Sequence, residues 1–265
     1  MLYDSASFHD PIGNKLLAAL PEFKWNRVCR HLDSIDVSVG NTLCEAESRL
    51  DYAYFPTTAV ISIVIGTADG VSTEIATIGD EGFLGVTLVL GDEMTEGRAV
   101  VQSKGQLYRL KREFLIEEFS RGAAMQFLLL RYARALFTVV VQTAVCNQRH
   151  SIDQQLCRWI LQTLDRLPSQ EVTITHELLA NTLGVRREGI TEAALKLQSA
   201  GLITYHRGRI TVIDRSGLTT HCCECYGVAR KGYDRLLESF SRCAVRPPLA
   251  ITRPLLQLSP RATTR

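Results

Sequence analysis

Residues 175–200 of this 265-residue chain read THELLANTLGVRREGITEAALKLQSA, and this stretch decides the fold. Its first half has helical spacing of apolar residues, and Gly184 then supplies a left-handed turn conformation that other residues resist. A second helix would bury Ile190, Ala194 and Leu197 on one side. Two short helices joined by such a turn are typical of a helix-turn-helix, whose second helix enters the major groove of DNA.

The first turn of the second helix carries charged side chains that can read base edges. Arginine can donate two hydrogen bonds to guanine, and glutamate can accept one from cytosine. Residues 202–213 then predict two short strands around a basic glycine turn, a wing whose arginines would contact phosphates. The alternatives are an ordinary pair of packed helices and solvated surface charges. The predicted DNA-contacting residues are Arg186, Arg187, Glu188, Thr191, Arg207 and Arg209.

Composition and charge agree with this prediction. Apolar residues make up 46% of the chain and charged residues 22%, which is typical of a globular protein and excludes a wholly disordered chain or a disulfide scaffold. The net charge is −4 over residues 1–150 and +6 over residues 151–265. The basic half is therefore expected to meet a polyanion such as double-stranded DNA.

The N-terminal part of the chain has a different pattern of apolar and turn-forming residues. Two short helices are predicted within residues 1–35 and are followed by short β-rich runs as far as Leu110. Gly, Asp and Pro separate these runs, and Asp69-Gly70 is a hairpin signal. This spacing predicts a small β-roll, and the whole chain is assigned to the α+β class.

From Glu113 to about Gln148 the apolar residues follow a helical period, and the seam repeats at coiled-coil spacing. A single helix of this length and apolar content cannot be solvated on all sides. We predict a dimerisation helix that packs against its two-fold mate and against the roll, with an intramolecular core helix as the alternative. The predicted dimer seam consists of Leu129, Tyr132, Leu136, Val139, Thr143 and Cys146.

A further helix is predicted over residues 151–167, with Ser151 as its N-cap and Pro168 as its stop. Four of the eight prolines follow residue 244, a composition typical of disorder. The predicted domains are an effector roll with N-terminal helices (1–120), the dimerisation helix and hinge (121–150), a winged helix-turn-helix (151–232) and a largely disordered tail (233–265).

No sequence feature predicts membrane insertion or catalysis. The N-terminus lacks the apolar region of a signal peptide, and the run Ala135–Val145 is shorter than the ~20 apolar residues that a spanning helix needs. The chain also lacks the motifs of a phosphate-binding loop, a nucleophile elbow and a zinc hydrolase. We therefore expect a cytoplasmic protein that is not an enzyme and has no catalytic residues.

Three motifs in this order resemble the Crp/Fnr family of bacterial transcription regulators, over roughly residues 15–230. They are Tyr54-Phe55-Pro56, the run GDEGFLG at Gly79–Gly85, and LGVRRE at Leu183–Glu188. The resemblance implies a cyclic nucleotide-binding-like jelly roll, a homodimer on a two-fold symmetric operator, and RNA polymerase as a further partner. It also implies that a signal is sensed in the roll. The alternative function is a ligand- or protein-binding signalling module without specific DNA recognition.

Nucleotide-binding members of that family have a Gly-Glu pair for the ribose and an Arg-Ser or Arg-Thr pair for the cyclic phosphate. Here Gly85 precedes Val86, and Arg98 precedes Ala99. We therefore expect that no cyclic nucleotide controls the protein, since the sequence lacks both the glutamate for the ribose and the Arg-Ser or Arg-Thr pair for the cyclic phosphate. The candidate lining of an effector pocket, for which plain hydrophobic core is the alternative, consists of Phe83, Leu84, Gly85, Arg98, Tyr132 and Leu136.

Three cysteines are clustered near the C-terminus, at Cys222, Cys223 and Cys225. Thiolates at this spacing can bind a soft metal or sense oxidants. A metal site usually needs a second, distant pair of ligands, however, and the sequence makes none evident. The cluster is therefore expected to be packed helix cysteines, with no metal and no other cofactor. The N-terminal cysteine cluster of the family's iron–sulfur members is also missing, since the first cysteine is Cys29.

Overall fold

The helices and strands follow the order that the sequence predicts. The computed structural model describes residues 10–68, 72–167 and 169–243. Within them the chain forms a β-roll, a long helix and a winged helix-turn-helix, so the predicted α+β fold class is confirmed. The Asp69-Gly70 turn, the stop at Pro168 and the tail from residue 244 lie outside the described residues.

Seven antiparallel strands build the roll. They are β1 (Leu32–Val37), β2 (Thr42–Cys44), β3 (Tyr52–Pro56), β4 (Val60–Gly66), β5 (Ser72–Ile78), β6 (Arg98–Ser103) and β7 (Gly105–Lys111). They form two sheets, ordered β1-β7-β3 and β2-β6-β4-β5. Successive side chains of a strand point to opposite faces, and the inward set, such as Ala53 and Phe55 on β3, is fully buried.

Asn14 joins two of the sequence motifs in the roll. Its buried side-chain amide donates hydrogen bonds of 2.8 Å to the carbonyls of Pro56 and Gly82. Its side-chain oxygen accepts from two backbone amides in the first turn of helix α1 (Lys15–Ala18). One N-cap residue therefore fixes the first helix and both motif segments together.

The remaining helices lie in the roll, in the connection between the two modules and in the C-terminal module. They are α2 (Glu22–Val28), α3 (Val86–Leu90), α4 (Arg112–Ser120), α5 (Ala123–Arg149), α6 (Ile152–Leu164), α7 (His176–Leu183), α8 (Arg187–Ser199), α9 (Arg215–His221) and α10 (Glu224–Cys243). Gly122 has a positive φ of 68° and separates α4 from α5, so the helical stretch from Glu113 forms two helices and not one.

The helix α5 packs one face against β5, α3, α4 and α10 of its own chain. The predicted dimer seam lies on this face and is buried within the protomer: Leu129, Tyr132, Leu136, Val139, Thr143 and Cys146. The prediction that this seam contacts a second copy is therefore wrong, because side chains already buried in one chain offer no surface to a partner. The intramolecular alternative describes them.

By length and composition alone, residues Ala124–Arg149 could cross a membrane. The span is longer than the run Ala135–Val145 that the sequence analysis considered. One face of this helix packs against the roll and α10, and 33% of the apolar window is buried within the chain.

The C-terminal module is a three-stranded sheet with helices packed on it. The strands β8 (Glu171–Thr173), β9 (Ile203–His206) and β10 (Arg209–Val212) are ordered β8-β10-β9. Helix α6 begins with a capping box in which Ser151 and Gln154 pair as predicted for an N-cap. After the wing, α9 and α10 follow, and α10 extends to Cys243. The predicted start of the disordered tail at residue 233 is therefore wrong, since residues 233–243 are helical.

Replacing Gly82 with alanine should destabilise the fold. A Cβ at this position would lie 2.2 Å from the ring of Tyr132, which is fully buried. Such overpacking typically costs about 1–3 kcal/mol of unfolding free energy. Urea denaturation of Gly82→Ala measures the loss.

The matched control is Gly227→Ala in α10, where an added Cβ meets nothing within 4 Å. Because alanine is the better helix former, this variant should gain up to about 1 kcal/mol. Equal stabilities for the two variants would show that the close approach of Gly82 to Tyr132 does not constrain the fold.

Candidate nucleic-acid interface

The predicted helix-turn-helix is formed by α7, a tight turn and α8. Thr175 caps α7 by accepting a hydrogen bond of 3.2 Å from the Leu178 amide. Gly184 ends α7 with φ 66° and ψ 35°, the left-handed conformation that the sequence predicts. The inner faces of both helices, including Leu183 and Ile190, are buried in the core of the module.

The first turn of α8 presents its charged residues to solvent. Arg186 at the N-cap and Arg187 and Glu188 in the first turn are exposed. Thr191 is half-buried, and its hydroxyl donates to the Arg187 carbonyl at 3.1 Å and lies 3.2 Å from His176 Nδ1. Three of the four predicted contacts on this helix are thus free to meet DNA, while Thr191 braces α8 against α7.

The predicted wing is present as the β9–β10 hairpin. Arg207 and Gly208 form its turn, with φ 48° and 76°, and Arg207 is exposed. Arg209 is also exposed, but its guanidinium lies 3.4 Å from the Glu171 carboxylate on β8. Arg207 therefore offers an unshared charge at the turn, whereas the charge of Arg209 is partly compensated within the sheet.

The candidate effector residues do not share one environment. Phe83 and Tyr132 are fully buried with ring centroids 5.3 Å apart, and they fill the contact between the roll and α5. Leu84 and Leu136 are buried in the same core. Arg98 is exposed at the start of β6. The apolar members occupy the hydrophobic core, which is the alternative that the sequence analysis weighed.

A buried ion pair joins the roll to the C-terminal module. Glu81, from the GDEGFLG motif, accepts hydrogen bonds from the Arg166 guanidinium at 2.7 and 2.8 Å, and both side chains are at most 7% exposed. Burial by itself would lower the pKa of Arg166, but the Glu81 carboxylate outweighs it and raises this pKa. The arginine therefore stays charged, and breaking the pair would leave one uncompensated buried charge.

A second carboxyl, Glu74 on β5, lies in the same junction. It accepts hydrogen bonds from Ser62 within the roll and from the Trp159 indole of α6 at 3.1 Å. Burial disfavours the ionised form and raises the pKa of Glu74 to about 7, although these hydrogen bonds and the nearby Arg158 oppose the shift. Glu74 also lines a narrow cleft with a volume of about 10 Å³, which is enough for about one water molecule.

The cysteine cluster has partners that the sequence did not reveal. Cys146 and His150, one turn apart at the end of α5, meet Cys223 and Cys225 at the start of α10. Hydrogen bonds from the Cys146 and Cys222 thiols lower the pKa of Cys223. The signal in the sequence that could reveal them is the Cys-x3-His spacing of Cys146 and His150, which the prediction of a dimer seam through Cys146 does not use.

Comparisons with known proteins place this architecture among regulators. Residues 154–220 match the family model of the Crp-like helix-turn-helix domain. A protein from Eubacterium rectale assigned to the Crp/Fnr family of transcriptional regulators has a similar structure, with 19% identity over 78% of this chain and 96% of its own, and a TM-score of 0.61. No curated protein matches the sequence.

Two further solved structures agree. FixK2 from Bradyrhizobium japonicum has a TM-score of 0.63 at 14% identity, over 72% of this chain and 98% of its own. A CRP-family transcriptional regulator from Thermus thermophilus has a TM-score of 0.59 at 16% identity, over 71% and 95%. The resemblance to Crp/Fnr regulators is therefore confirmed for the fold and for the helix-turn-helix domain.

The junction should weaken as Glu74 ionises. An unfolded glutamate ionises near pH 4.5, whereas folded Glu74 keeps its proton to about pH 7. Its contribution to stability is therefore fully present below pH 4.5 and is lost as pH rises through 7. Glu74→Gln keeps a neutral hydrogen-bonding group, so the difference in unfolding free energy between this variant and the wild type should grow from pH 5 to pH 8 in favour of the variant.

Chemical denaturation at several pH values measures this difference. Glu177→Gln, at an exposed position on α7, is the control and should keep the wild-type pH dependence. If Glu74→Gln also keeps it, Glu74 does not titrate in the junction.

Proposed function

We propose that this chain, which contains a Crp-like helix-turn-helix domain within the fold of Crp/Fnr regulators, is a dimeric transcription regulator that binds a two-fold symmetric operator. Its partners would be double-stranded DNA, a second copy of the chain and RNA polymerase. It would work in the cytoplasm, and we assign it no catalytic activity. The chemistry of the site is recognition, since its polar groups are hydrogen-bond donors and acceptors for bases and phosphates.

The first turn of α8 carries this proposal. Arg186, Arg187 and Glu188 are exposed there, while the opposite side of the helix is buried in the module. The helix N-terminus adds partial positive charge that favours phosphate, and the exposed wing residue Arg207 adds a full charge. Base-reading groups on a recognition helix beside a basic wing are what sequence-specific binding requires.

The proposed dimer forms through the exposed face of α5. Four large apolar residues lie on that face, opposite the buried seam: Leu130, Phe137, Val141 and Val145. Their separations of seven and four residues align them in one stripe of the helix. A second copy that covers this stripe would remove its apolar surface from water and would place two reading modules about a two-fold axis.

Regulation would act through the hinge between α5 and α6. The helix α5 ends at Arg149, and His150 is extended, with φ −110° and ψ 153°, before Ser151 caps α6. Reorientation of the modules about this hinge would break or remake the contacts of the junction, which include Glu81 with Arg166 and Glu74 with Trp159. A signal that favours one arrangement would shift this equilibrium. We propose that cyclic nucleotide is not that signal.

Replacing Arg187 with alanine should lower affinity for the protein's own operator. The loss of a bidentate base contact typically costs about 1–3 kcal/mol and relaxes specificity at that position. Selection of bound genomic fragments identifies the operator, and a gel-shift titration measures the affinity. Lys196→Ala, near the other end of α8, is the control and should bind as the wild type does.

Arg207→Ala should instead weaken binding to all sequences and reduce its salt dependence, since a phosphate contact carries no sequence information. Unchanged affinity for both arginine variants, or recovery of random sequences only, would refute the operator assignment. That outcome would favour a ligand- or protein-binding signalling module.

Replacing Phe137 with glutamate should disrupt the dimer without unfolding the chain, since this side chain is 68% exposed in the protomer. Association would bury an unpaired carboxylate in the apolar stripe, and the free-energy cost of removing that charge from water would prevent the dimer from forming. Sedimentation analysis at micromolar concentration measures the change in mass. The matched control is Phe23→Glu on α2, which has the same residue type at 67% exposure.

The control variant should sediment as the wild-type dimer. A monomeric wild type, or a dimer that survives Phe137→Glu, would show that the exposed face of α5 is not the interface.

A further inference from the structure

Four side chains with metal-binding groups converge at the hinge. Cys146 lies in the last turn of α5 and His150 immediately follows that helix, whereas Cys223 and Cys225 come from the junction of α9 and α10. Their ligand atoms all lie within 4.8 Å of one another. Cys146 and Cys223 are 77 positions apart in the sequence, so only the fold brings the two pairs of ligands together.

The spacing of these atoms fits a single tetrahedral ion. Zinc–thiolate bonds of about 2.3 Å place two sulfur ligands roughly 3.8 Å apart. The Sγ atoms of Cys146 and Cys223 are 3.6 Å apart, and Cys225 Sγ lies 3.4 Å from His150 Nδ1. An iron–sulfur cluster would need wider separations, because its iron and sulfide atoms stand between the protein ligands.

Burial and helix geometry prepare this arrangement. The three cysteines are buried and His150 is half-buried, so the ligand atoms are largely withdrawn from water. His150 is the C-cap residue of α5, and its backbone amide donates to the Cys146 carbonyl at 3.0 Å, which keeps the two residues together at the end of the helix. Cys-x-Cys at the start of α10 supplies the opposite pair, and together they make a Cys3His set of the kind that structural zinc sites use.

Surrounding groups orient the ligands and balance the charge. The Glu224 carboxylate lies 3.3 Å from His150 Nε2, so it can accept a hydrogen bond from the N–H of that nitrogen. This hydrogen bond would leave Nδ1 free of its proton and directed towards the ion. The Gln142 side-chain amide donates to Cys225 Sγ at 3.1 Å. The Arg158 guanidinium acts electrostatically on Cys146. Three thiolates and one divalent ion leave a net charge of −1, which this arginine can compensate.

We propose that Cys146, His150, Cys223 and Cys225 bind one Zn²⁺ ion per chain. This proposal reverses the expectation from sequence that Cys222, Cys223 and Cys225 only pack. The ion would tie the end of α5 to the segment that follows the wing, across the hinge at His150 and Ser151. It would thereby restrict the orientation of the reading module, a consequence that rests on the proposed function, whereas the metal site itself does not.

Metal binding by the purified, reduced, full-length protein tests the site without DNA. Elemental analysis should find one zinc per chain. Anaerobic titration of the zinc-free protein with Co²⁺ should give the intense visible bands of tetrahedral coordination and a sulfur-to-cobalt charge-transfer band, saturating at one equivalent. Cys225→Ser should weaken the charge-transfer band and lower affinity at least about tenfold, since it removes a ligand.

Two variants separate ligand loss from general damage. Cys222→Ser changes a neighbouring cysteine outside the proposed ligand set. Because a serine hydroxyl can still donate to Cys223 Sγ as the Cys222 thiol does, this variant should retain one cobalt per chain and its charge-transfer band. Glu224→Gln alters an exposed carboxylate and is expected to fold, yet it should weaken cobalt binding about 10–100-fold through His150.

Several results would overturn the proposal. They are a folded wild type that contains no zinc and gives no tetrahedral cobalt spectrum, bound iron with sulfide, or a Cys146–Cys223 disulfide as the native state. Equal metal loss in Cys222→Ser and Cys225→Ser would also overturn it.

A separate measurement tests the hinge role. Removal of zinc should change operator affinity in the wild type. If the metal binds as described and this affinity does not change, the ion does not restrict the reading module, although the site stands.

Discussion

The arrangement of the whole chain depends on burial of one face of α5. Each large apolar side chain removed from water contributes about 1.5–3 kcal/mol, and this face carries several, among them Leu129, Tyr132 and Val139. The roll covers the face through Phe83 and its neighbours, and α10 covers it further along. Because this burial is complete within one chain, the opposite face of α5, with Phe137 and its apolar neighbours, remains exposed to solvent.

The junction between the roll and the reading module has a different physical character. It is made by polar pairs, Glu81 with Arg166 and Glu74 with Trp159, rather than by a continuous apolar core, since the two modules have separate hydrophobic clusters. A buried ion pair adds little net stability, because desolvation offsets the attraction, but it strongly penalises a mismatched arrangement. Such a junction therefore specifies one docked position of the two modules.

The cysteine and histidine cluster lies where these two features meet. It lies at the C-terminal end of α5. Two of its residues come from the end of that helix and its C-cap, and two come from the segment after the wing. Arg158 interacts electrostatically with both Cys146 and Glu74, so the cluster and the junction share one positive charge.

The sequence alone determined the elements whose cause is local. Gly184 specified the turn because a left-handed residue is needed there, Ser151 specified the start of α6 through its capping box, and the exposed first turn of α8 followed from helical periodicity. Only the tertiary structure decided which surface each apolar face meets. The period of α5 shows that a face is buried, and it does not distinguish the chain's own roll from a second copy. Likewise, no local rule brings His150 to Cys225 or Glu81 to Arg166, because those contacts arise from the packing of elements that are distant in sequence.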